Sequence, residues 1–397
     1  MNKKLSSLLT FAALTAGSSA YGQGLLSIRP DRDEFEKRMP FTITLDAGGG
    51  YDSNVNLTHE NEHGSAYASA GVGLQYQKTN RRTSWGFNLG YTGFYYFDAP
   101  DGVDDYMQSA RLGANFSHRV NERLAIYDSF YLAYEFEPNY AIGAGTTRRT
   151  DQYLYGYNDL SVSYAWSRKF STVTGYTITG TDYQEERYEG ESYLSHIFHN
   201  EFRYILNPTT TAALSYRFAY TTYDNGFADY MSHYILTGLD HKFSPRSSGS
   251  FRVGAEIRDR DNGGTDAAPY FEGSYSYLAS KDTTLTWYGR FGFEDSGVGS
   301  FTDRYSFRTG VSATQRFTSR LAGQAGLHYI HDEFDDSVTA GTNGFADDIF
   351  AFSIGLNYSL FRNISLNTSY SFSINTSEEE YREYNRHNVY LGLRATF

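Results

Sequence analysis

The 397-residue sequence contains no cysteine and only seven prolines. Without cysteine the protein is neither a disulfide-stabilised scaffold nor a lipoprotein, whose lipid is carried on a cysteine. After the first twenty residues no stretch approaches the roughly 20 consecutive apolar residues of a membrane-spanning helix, which excludes a helical membrane protein. The formal net charge of −12 and a pI of about 5.3 exclude nucleic acid as a natural partner, because its recognition requires a basic surface.

Aromatic residues and glycine are abundant, with 37 tyrosines, 29 phenylalanines and 38 glycines. The mean hydropathy of −0.54 is low for a membrane protein. It is nevertheless typical of a membrane β-barrel, because only every second strand residue faces lipid and the others are polar. From Phe41 onward the chain is a series of amphipathic segments of roughly ten to fifteen residues, without a break in composition, and this predicts a single domain.

The N-terminus has the features of a secretory signal. Lys3 and Lys4 precede an apolar run from Leu5 to Ala16, and small residues follow it. We therefore predict a signal peptide over residues 1–20, with cleavage after Gly22 as the alternative. Residues 21–40 are then a short periplasmic segment, and residues 41–397 form the barrel.

Two kinds of connection alternate along the barrel segment. Short turns rich in Ser, Asn, Pro and basic residues, such as Asn121-Glu122-Arg123, alternate with longer acidic loops, of which Glu137 to Asp151 is the longest and could fold inward. Eight turns and nine loops join eighteen strands, although sixteen remain possible because glycine-rich strands leave the register uncertain. The sequence thus predicts an all-β fold, a transmembrane antiparallel β-barrel of about 18 strands with both termini on the periplasmic side.

The last nine residues predict a membrane strand. Val389, Leu391, Leu393, Ala395 and Phe397 fall on one face, and small or polar residues fall on the other. This ending resembles the C-terminal recognition strand of Gram-negative outer-membrane barrels. The resemblance implies an assembly signal formed by Leu391, Leu393 and Phe397, with the barrel-assembly machinery as a partner.

The start of the barrel segment resembles the family of putative β-barrel porins. Members begin with a glycine-rich strand that leads into a Tyr-Asp-Ser/Asp-Asn-Val segment, and here Gly48 to Gly50 lead into Tyr51-Asp52-Ser53-Asn54-Val55. Turns such as Phe317-Thr318-Ser319-Arg320 are similar to turns of that family. The resemblance implies an outer-membrane location, and some members accompany exopolysaccharide loci.

Charged residues at polar strand positions are the candidates for a channel lining. The principal candidates are Arg111, Arg217, Arg252, Arg290, Arg304, Arg308, Glu272 and Glu294. The full set of inward positions adds Arg203, Arg258, Arg316, Arg394, Asp46, Asp159, Glu201 and Glu256. Ten bases against six acids predict a net basic lumen that favours anions. The alternative is that arginines and acids pair and only stabilise the wall.

Tyrosines concentrate near the long-loop ends of the strands. They are Tyr131, Tyr134, Tyr140, Tyr153, Tyr155, Tyr157, Tyr183, Tyr188, Tyr193, Tyr381 and Tyr384. An aromatic girdle at the lipid headgroups is the favoured interpretation. A track of inward rings that stack on sugars is the alternative.

Two acidic motifs suggest other chemistry only weakly. His331 to Asp336 brings a histidine beside carboxylates, but no second matching pair accompanies it, so we predict no enzyme activity. Asp259 to Gly264 imitates the opening of a calcium loop, but the twelfth position is Tyr270 instead of a carboxylate. We expect no cofactor and no specific metal site.

These observations favour a channel for passive diffusion of small hydrophilic solutes, with anions and saccharides as the candidate classes. The alternative is a closed structural or binding barrel that supports exopolysaccharide export or surface attachment. The expected partners are outer-membrane lipid, lipopolysaccharide and the solute. The oligomeric state does not follow from the sequence.

Overall fold

The structure, a computed structural model, describes residues 41–137, 139, 152–184, 192–224, 229–261, 264–295, 303–334 and 344–397. The predicted signal peptide and the periplasmic segment over 21–40 lie outside these residues. So does almost all of the longest loop beyond Glu137.

The described chain forms eighteen antiparallel strands, as predicted. Each strand pairs with the next one along the chain, and β1 also pairs with β18 from Thr44↔Thr396 to Asp52↔Asn388, which closes the sheet into a barrel. The strands are β1 Phe41–Asp52, β2 Ser65–Thr79, β3 Thr83–Tyr96, β4 Tyr106–Arg119, β5 Leu124–Glu135, β6 Tyr153–Ala165, β7 Phe170–Tyr183, β8 Tyr193–Asn207, β9 Thr210–Tyr223, β10 Tyr230–Ser244, β11 Ser247–Arg260, β12 Gly264–Ser280, β13 Thr283–Asp295, β14 Asp303–Arg316, β15 Leu321–Phe334, β16 Phe345–Ser359, β17 Ile364–Ser377 and β18 Tyr384–Thr396.

Side chains in the short turns satisfy the backbone groups that the hairpins leave unpaired. The Asn121 side-chain oxygen accepts hydrogen bonds from the backbone N–H of Arg123 and Leu124, at 2.8 and 2.9 Å. The Thr318 hydroxyl oxygen accepts in the same way from Arg320 and Leu321, at 3.1 and 2.9 Å. These bonds explain why Asn, Ser and Thr mark the turns in the sequence. All eight short turns lie at one end of the barrel, here called the turn end, and the opposite end is the loop end.

The two faces of the wall differ in polarity as a membrane barrel requires. Leu45, Leu89, Val253 and Ile354 are between 41 and 54% exposed on the outer face. On each strand, the two residues that flank the exposed one point inward and are polar or small. Large apolar side chains exposed in a continuous outer band are stable only in lipid, so the strand alternation itself places the protein in a membrane.

β12 begins at Gly264 and pairs with β11 up to Arg260↔Gly264. β12 and β13 pair only from Phe271↔Phe291 toward the turn end. Beyond that point Phe293 has the same parity as the outward Phe291, but it is only 2% exposed and lies 5.1 Å from the Arg258 guanidinium. Alternation therefore describes facing only where a strand is paired on both sides.

Helical structure is confined in the described chain to one 3-10 turn, Glu380–Arg382. None of the helical segments among these residues is long and apolar enough to cross a bilayer.

Candidate functional site: the charged lumen

All eight principal candidate residues lie on the inner face of the barrel. The cross-strand pairs Glu272↔Arg290, Arg252↔Glu272 and Arg290↔Arg308 bring four of them together on β11 to β14. Arg304 and Glu294 form the adjacent pair. Arg111 lies apart on β4, where its side chain pairs with Glu135 of β5.

A four-residue network lies on β8, β10 and β11. Arg252 binds Glu201 at 2.9 Å and Asp240 at 3.0 Å, and Arg203 binds Glu201 at 2.8 Å and also contacts Asp240. Two positive and two negative charges therefore neutralise one another. Because Arg252 and Asp240 are both buried, this network stiffens the wall and offers little charge to the lumen.

One ion pair crosses two intervening strands. The Arg217 guanidinium on β9 donates to both carboxylate oxygens of Glu272 on β12, one of them at 2.9 Å. The Tyr270 hydroxyl donates to the same carboxylate at 2.9 Å. Arg217 and Arg290 both approach the Tyr270 ring, at 5.9 and 5.7 Å from its centroid. Tyr270 thus lies between two guanidinium groups, and we call Tyr270 with Arg217, Arg290 and Glu272 the Tyr270 cluster.

The arginines of β13 and β14 are not equivalent. The Arg290 side chain is 41% exposed and binds Glu294 at 3.0 Å, whereas the Arg308 side chain is 4% exposed and binds the same carboxylate at 2.9 Å. Arg304, 5% exposed, binds Asp332 at 2.7 Å. Of these three arginines, only Arg290 has a side chain that is substantially exposed to the lumen.

Sequence reasoning also missed several inward charges. They are the acids Asp52, Glu135, Asp240, Asp332 and Asp347 and the base Arg386, all buried. Asp52 and Asp347 lie close to loops, and Asp332 was assigned to an acidic loop motif. Strand parity with Arg304 could have identified Asp332. These acids remove much of the predicted basic excess, so that part of the prediction was wrong.

The lumen next to β1 to β4 is lined by aromatic residues. Tyr67, Tyr96 and Met107 are buried together, with Val55 and Tyr390 in the same cluster and Phe94 and Phe136 packed against it. We call this set the aromatic cluster. Phe136 follows β5, and its ring centroid is 5.3 Å from that of Phe94.

An arginine joins this region to the first residues after β5. Arg386 on β18 donates to both oxygens of Asp52 on β1, with its Nε 2.9 Å from each. It also donates to Glu137 at 2.6 and 2.7 Å. Phe136 and Glu137 therefore turn into the barrel; the rest of that loop lies outside the described residues.

Most of the tyrosines do not form a girdle. Parity places Tyr131, Tyr153, Tyr155, Tyr157, Tyr183, Tyr193 and Tyr384 on the inner face, so the favoured interpretation was wrong for them. Neighbouring rings pack side by side, as with Tyr153 and Tyr183 at 6.2 Å and Tyr193 and Tyr223 at 6.1 Å. Tyr140 and Tyr188 lie outside the described residues. The Tyr155 hydroxyl is within electrostatic reach of Arg290, Glu294 and Arg308.

The structure describes only part of the two motifs with other suggested chemistry, because 262–263 and 335–336 lie outside the described residues. His331 faces outward and lies 2.9 Å from Asp348, while its neighbour Asp332 faces inward toward Arg304. Asp259 accepts a hydrogen bond from Thr265 at 3.0 Å. The described residues contain no group of three or more side chains able to hold a metal ion.

The proposed assembly residues lie where the barrel closes. The backbone of Phe397 exchanges hydrogen bonds of 2.8 and 2.9 Å with Ile43 of β1. The side chains of Leu391, Leu393 and Phe397 are 55, 49 and 64% exposed on the outer face. The C-terminal residue is therefore both the last paired position and a lipid-facing aromatic anchor.

Comparison with known proteins gives one family match. Residues 267–397 match the model of the family described as putative beta-barrel porin 2. No curated protein sequence matches the chain.

Several solved barrels are similar at low identity. The outer membrane protein OpdK from Pseudomonas aeruginosa is 10% identical, with 90% of this chain and 98% of that chain covered and a TM-score of 0.45. A BenF-like porin from Pseudomonas fluorescens Pf-5 is 11% identical, with coverage of 90 and 99% and a TM-score of 0.45. OccAB4 from Acinetobacter baumannii is 12% identical, with coverage of 90 and 98% and a TM-score of 0.43. The closed eighteen-stranded barrel, its apolar outer band and the match of its C-terminal third to the porin family identify this chain as an outer-membrane β-barrel similar to the putative β-barrel porins.

Proposed function

We propose that the protein is a channel through which small hydrophilic solutes diffuse across the outer membrane. The observation that carries the proposal is the exposure of charged side chains inside a closed barrel. Arg290, Glu272, Arg111 and Arg217 are 41, 32, 31 and 25% exposed, although all four point away from lipid. Charges keep that much surface only in contact with water, so the space they face is an aqueous lumen.

The Tyr270 cluster supports anions and saccharides as the solute classes. A guanidinium group offers paired donors to carboxylate or phosphate and can also donate to sugar hydroxyls, whereas the Tyr270 ring is itself buried. Glu272 already occupies Arg217, which leaves Arg290 as the more exposed donor. Tyr155, on the inner face of β6, is within electrostatic reach of the same arginine.

Planar-bilayer recording of the purified protein tests the channel directly. We expect stepwise conductance, and a reversal potential across a KCl gradient that shifts toward cation preference in Arg290→Gln. Arg316→Gln is the matched control, because Arg316 is 37% exposed on the inner face near the turn end, 3.7 Å from Asp282 and away from Tyr270. We expect a smaller shift for it.

Each failure has a distinct meaning. A folded protein that does not conduct would exclude the channel and favour the closed barrel in exopolysaccharide export or surface attachment. A conducting parent with the same reversal potential as Arg290→Gln would leave the channel intact and exclude the Tyr270 cluster as its selectivity element.

We further infer that the chain reaches the membrane through the signal peptide at residues 1–20 and the barrel-assembly machinery, and that lipopolysaccharide surrounds it in the outer leaflet. No catalytic step is part of this proposal. The lipid-facing position of Phe397 supports the assembly signal, and Phe397→Ser should lower the fraction of heat-modifiable barrel recovered from membranes. An unchanged fraction would exclude this role for Phe397.

A further inference from the structure

The outer wall of β5 to β8 carries a carboxylate and two side-chain amides within a band that is mostly apolar. Strand parity places Asp128, Asn158, Thr174 and Asn200 on the outer face. On the same face, Leu160 and Phe198 are 48 and 49% exposed, which shows that this wall faces lipid or another protein. We call the four residues the β5–β8 polar patch.

Asp128 lies within the apolar band of its own strand. Going along β5, the outward residues before it are Leu124 and Ile126, and those after it are Phe130 and Leu132. Asn158 on β6 is likewise followed on the outer face by Leu160 and Val162. The patch is therefore not part of the polar rim at either end of the strands.

The patch satisfies its hydrogen-bonding groups only in part. The Asn158 amide donates to Asp128 at 2.9 Å, and the Asn200 amide donates to the Thr174 hydroxyl at 2.7 Å. In the described chain, Asp128 has no basic partner, and the buried side-chain oxygen of Asn200 accepts no hydrogen bond. Hydrocarbon cannot supply donors or acceptors, so a carboxylate and an amide oxygen left in this state destabilise a barrel that is surrounded by lipid.

We propose that the β5–β8 polar patch is the contact surface for a second copy of this chain within the outer membrane. The patch is self-complementary: within the described chain the Thr174 hydroxyl and the second amide hydrogen of Asn200 remain as donors, and the Asp128 carboxylate remains as an acceptor. In a twofold-symmetric contact the patch of one chain faces the same patch of the second chain. The donors of each chain then meet the acceptors of the other. Lipid chains cannot do this, and lipopolysaccharide phosphates lie at the membrane surface.

The size of the complex in native membranes provides the first test. We extract the full-length protein in a membrane-solubilising polymer and measure its mass by mass photometry. We expect a multiple of the chain mass for the parent and a monomer for the double variant Asp128→Leu/Asn158→Leu, with equal heat-modifiable folding. Ile354→Ala, on the exposed outer face of β16, is the matched control and should keep the parent mass. A monomeric parent, or a double variant that keeps the parent mass, would overturn the proposal.

Cysteine cross-linking identifies the partner, since the chain has no cysteine of its own. Oxidation of Asn158→Cys or Thr174→Cys in intact membranes should give a covalent dimer of this chain, and Ile354→Cys should give none. An adduct with a different polypeptide, or no adduct at either patch position, would contradict a self-contact. If the double variant is poorly folded, Asn200→Leu serves as the second variant and should lower the dimer yield of Thr174→Cys. These outcomes are independent of conductance, because either a monomer or an oligomer can conduct.

Discussion

On the inner face of β1 to β4, Tyr67, Tyr96 and Met107 pack against one another, whereas on the inner face of β8 to β15 arginines alternate with carboxylates. The first region excludes water by ring packing and is joined to the residues after β5 through Phe136 and Arg386. The second region distributes its charges over several strands, and some of these charged side chains remain exposed to the lumen. One barrel thus uses a dry cluster to shape its lumen and a charged network to keep the lumen polar.

The largest effect on stability is expected at Asp52, whose side chain is fully buried against Arg386. Asp52→Ala should lower the free energy of unfolding by about 3–5 kcal/mol, the usual effect of removing one partner from a buried ion pair. The effect is large because arginine cannot lose its charge. Urea titration of the folded, heat-resistant band in lipid vesicles measures it.

Glu137→Gln is the matched control for that experiment. Glu137 contacts the same guanidinium but is 37% exposed, so its loss should matter much less. Equal destabilisation by the two substitutions would mean that Asp52 and Glu137 act as one unit and that the region is not anchored mainly by the buried carboxylate.

A smaller loss of stability is expected for Arg304→Gln. This change leaves the buried Asp332 without its 2.7 Å partner. We expect about 2–3 kcal/mol of destabilisation, the usual effect of leaving a buried polar group unpaired. The same urea titration checks this, and a loss as large as that of Asp52→Ala would point to additional packing against the Phe334 ring, 5.9 Å away.

The smallest effect on stability is expected for Arg290→Gln. The exposed Arg290 pairs with Glu294, which keeps Arg308 as a partner, so the loss should be about 0–1 kcal/mol. The unfolding midpoint should therefore stay near that of the parent while the reversal potential changes. A loss of stability comparable to that of Arg304→Gln would show that the exposed and the buried ion pairs contribute equally to the free energy of unfolding.

Sequence reasoning predicted the strand number, the turn positions and the facing of most strands. The alternation of apolar and polar residues along a strand is a local signal, and so is a turn side chain such as that of Asn121. The structure contains both features. Long-range pairing is not local: Arg217 meets Glu272 across two strands, and Arg386 meets Glu137 across the lumen. The favoured girdle for the tyrosines failed for a related reason, since an aromatic ring is equally compatible with lipid headgroups and with an inner wall.

The pairing of β1 with β18 has a consequence for how the chain folds. Arg386 and Asp52, which meet where these strands close the barrel, are separated by 334 residues. Contacts between such distant segments form late and slowly, because the entropy of closing so long a loop must be overcome first. Until closure, β1 and β18 each present an unpaired, largely apolar edge that could pair with another chain. The interval between export and closure is therefore when the protein is most prone to aggregate, and faster closure would matter more to its yield than a more stable final barrel.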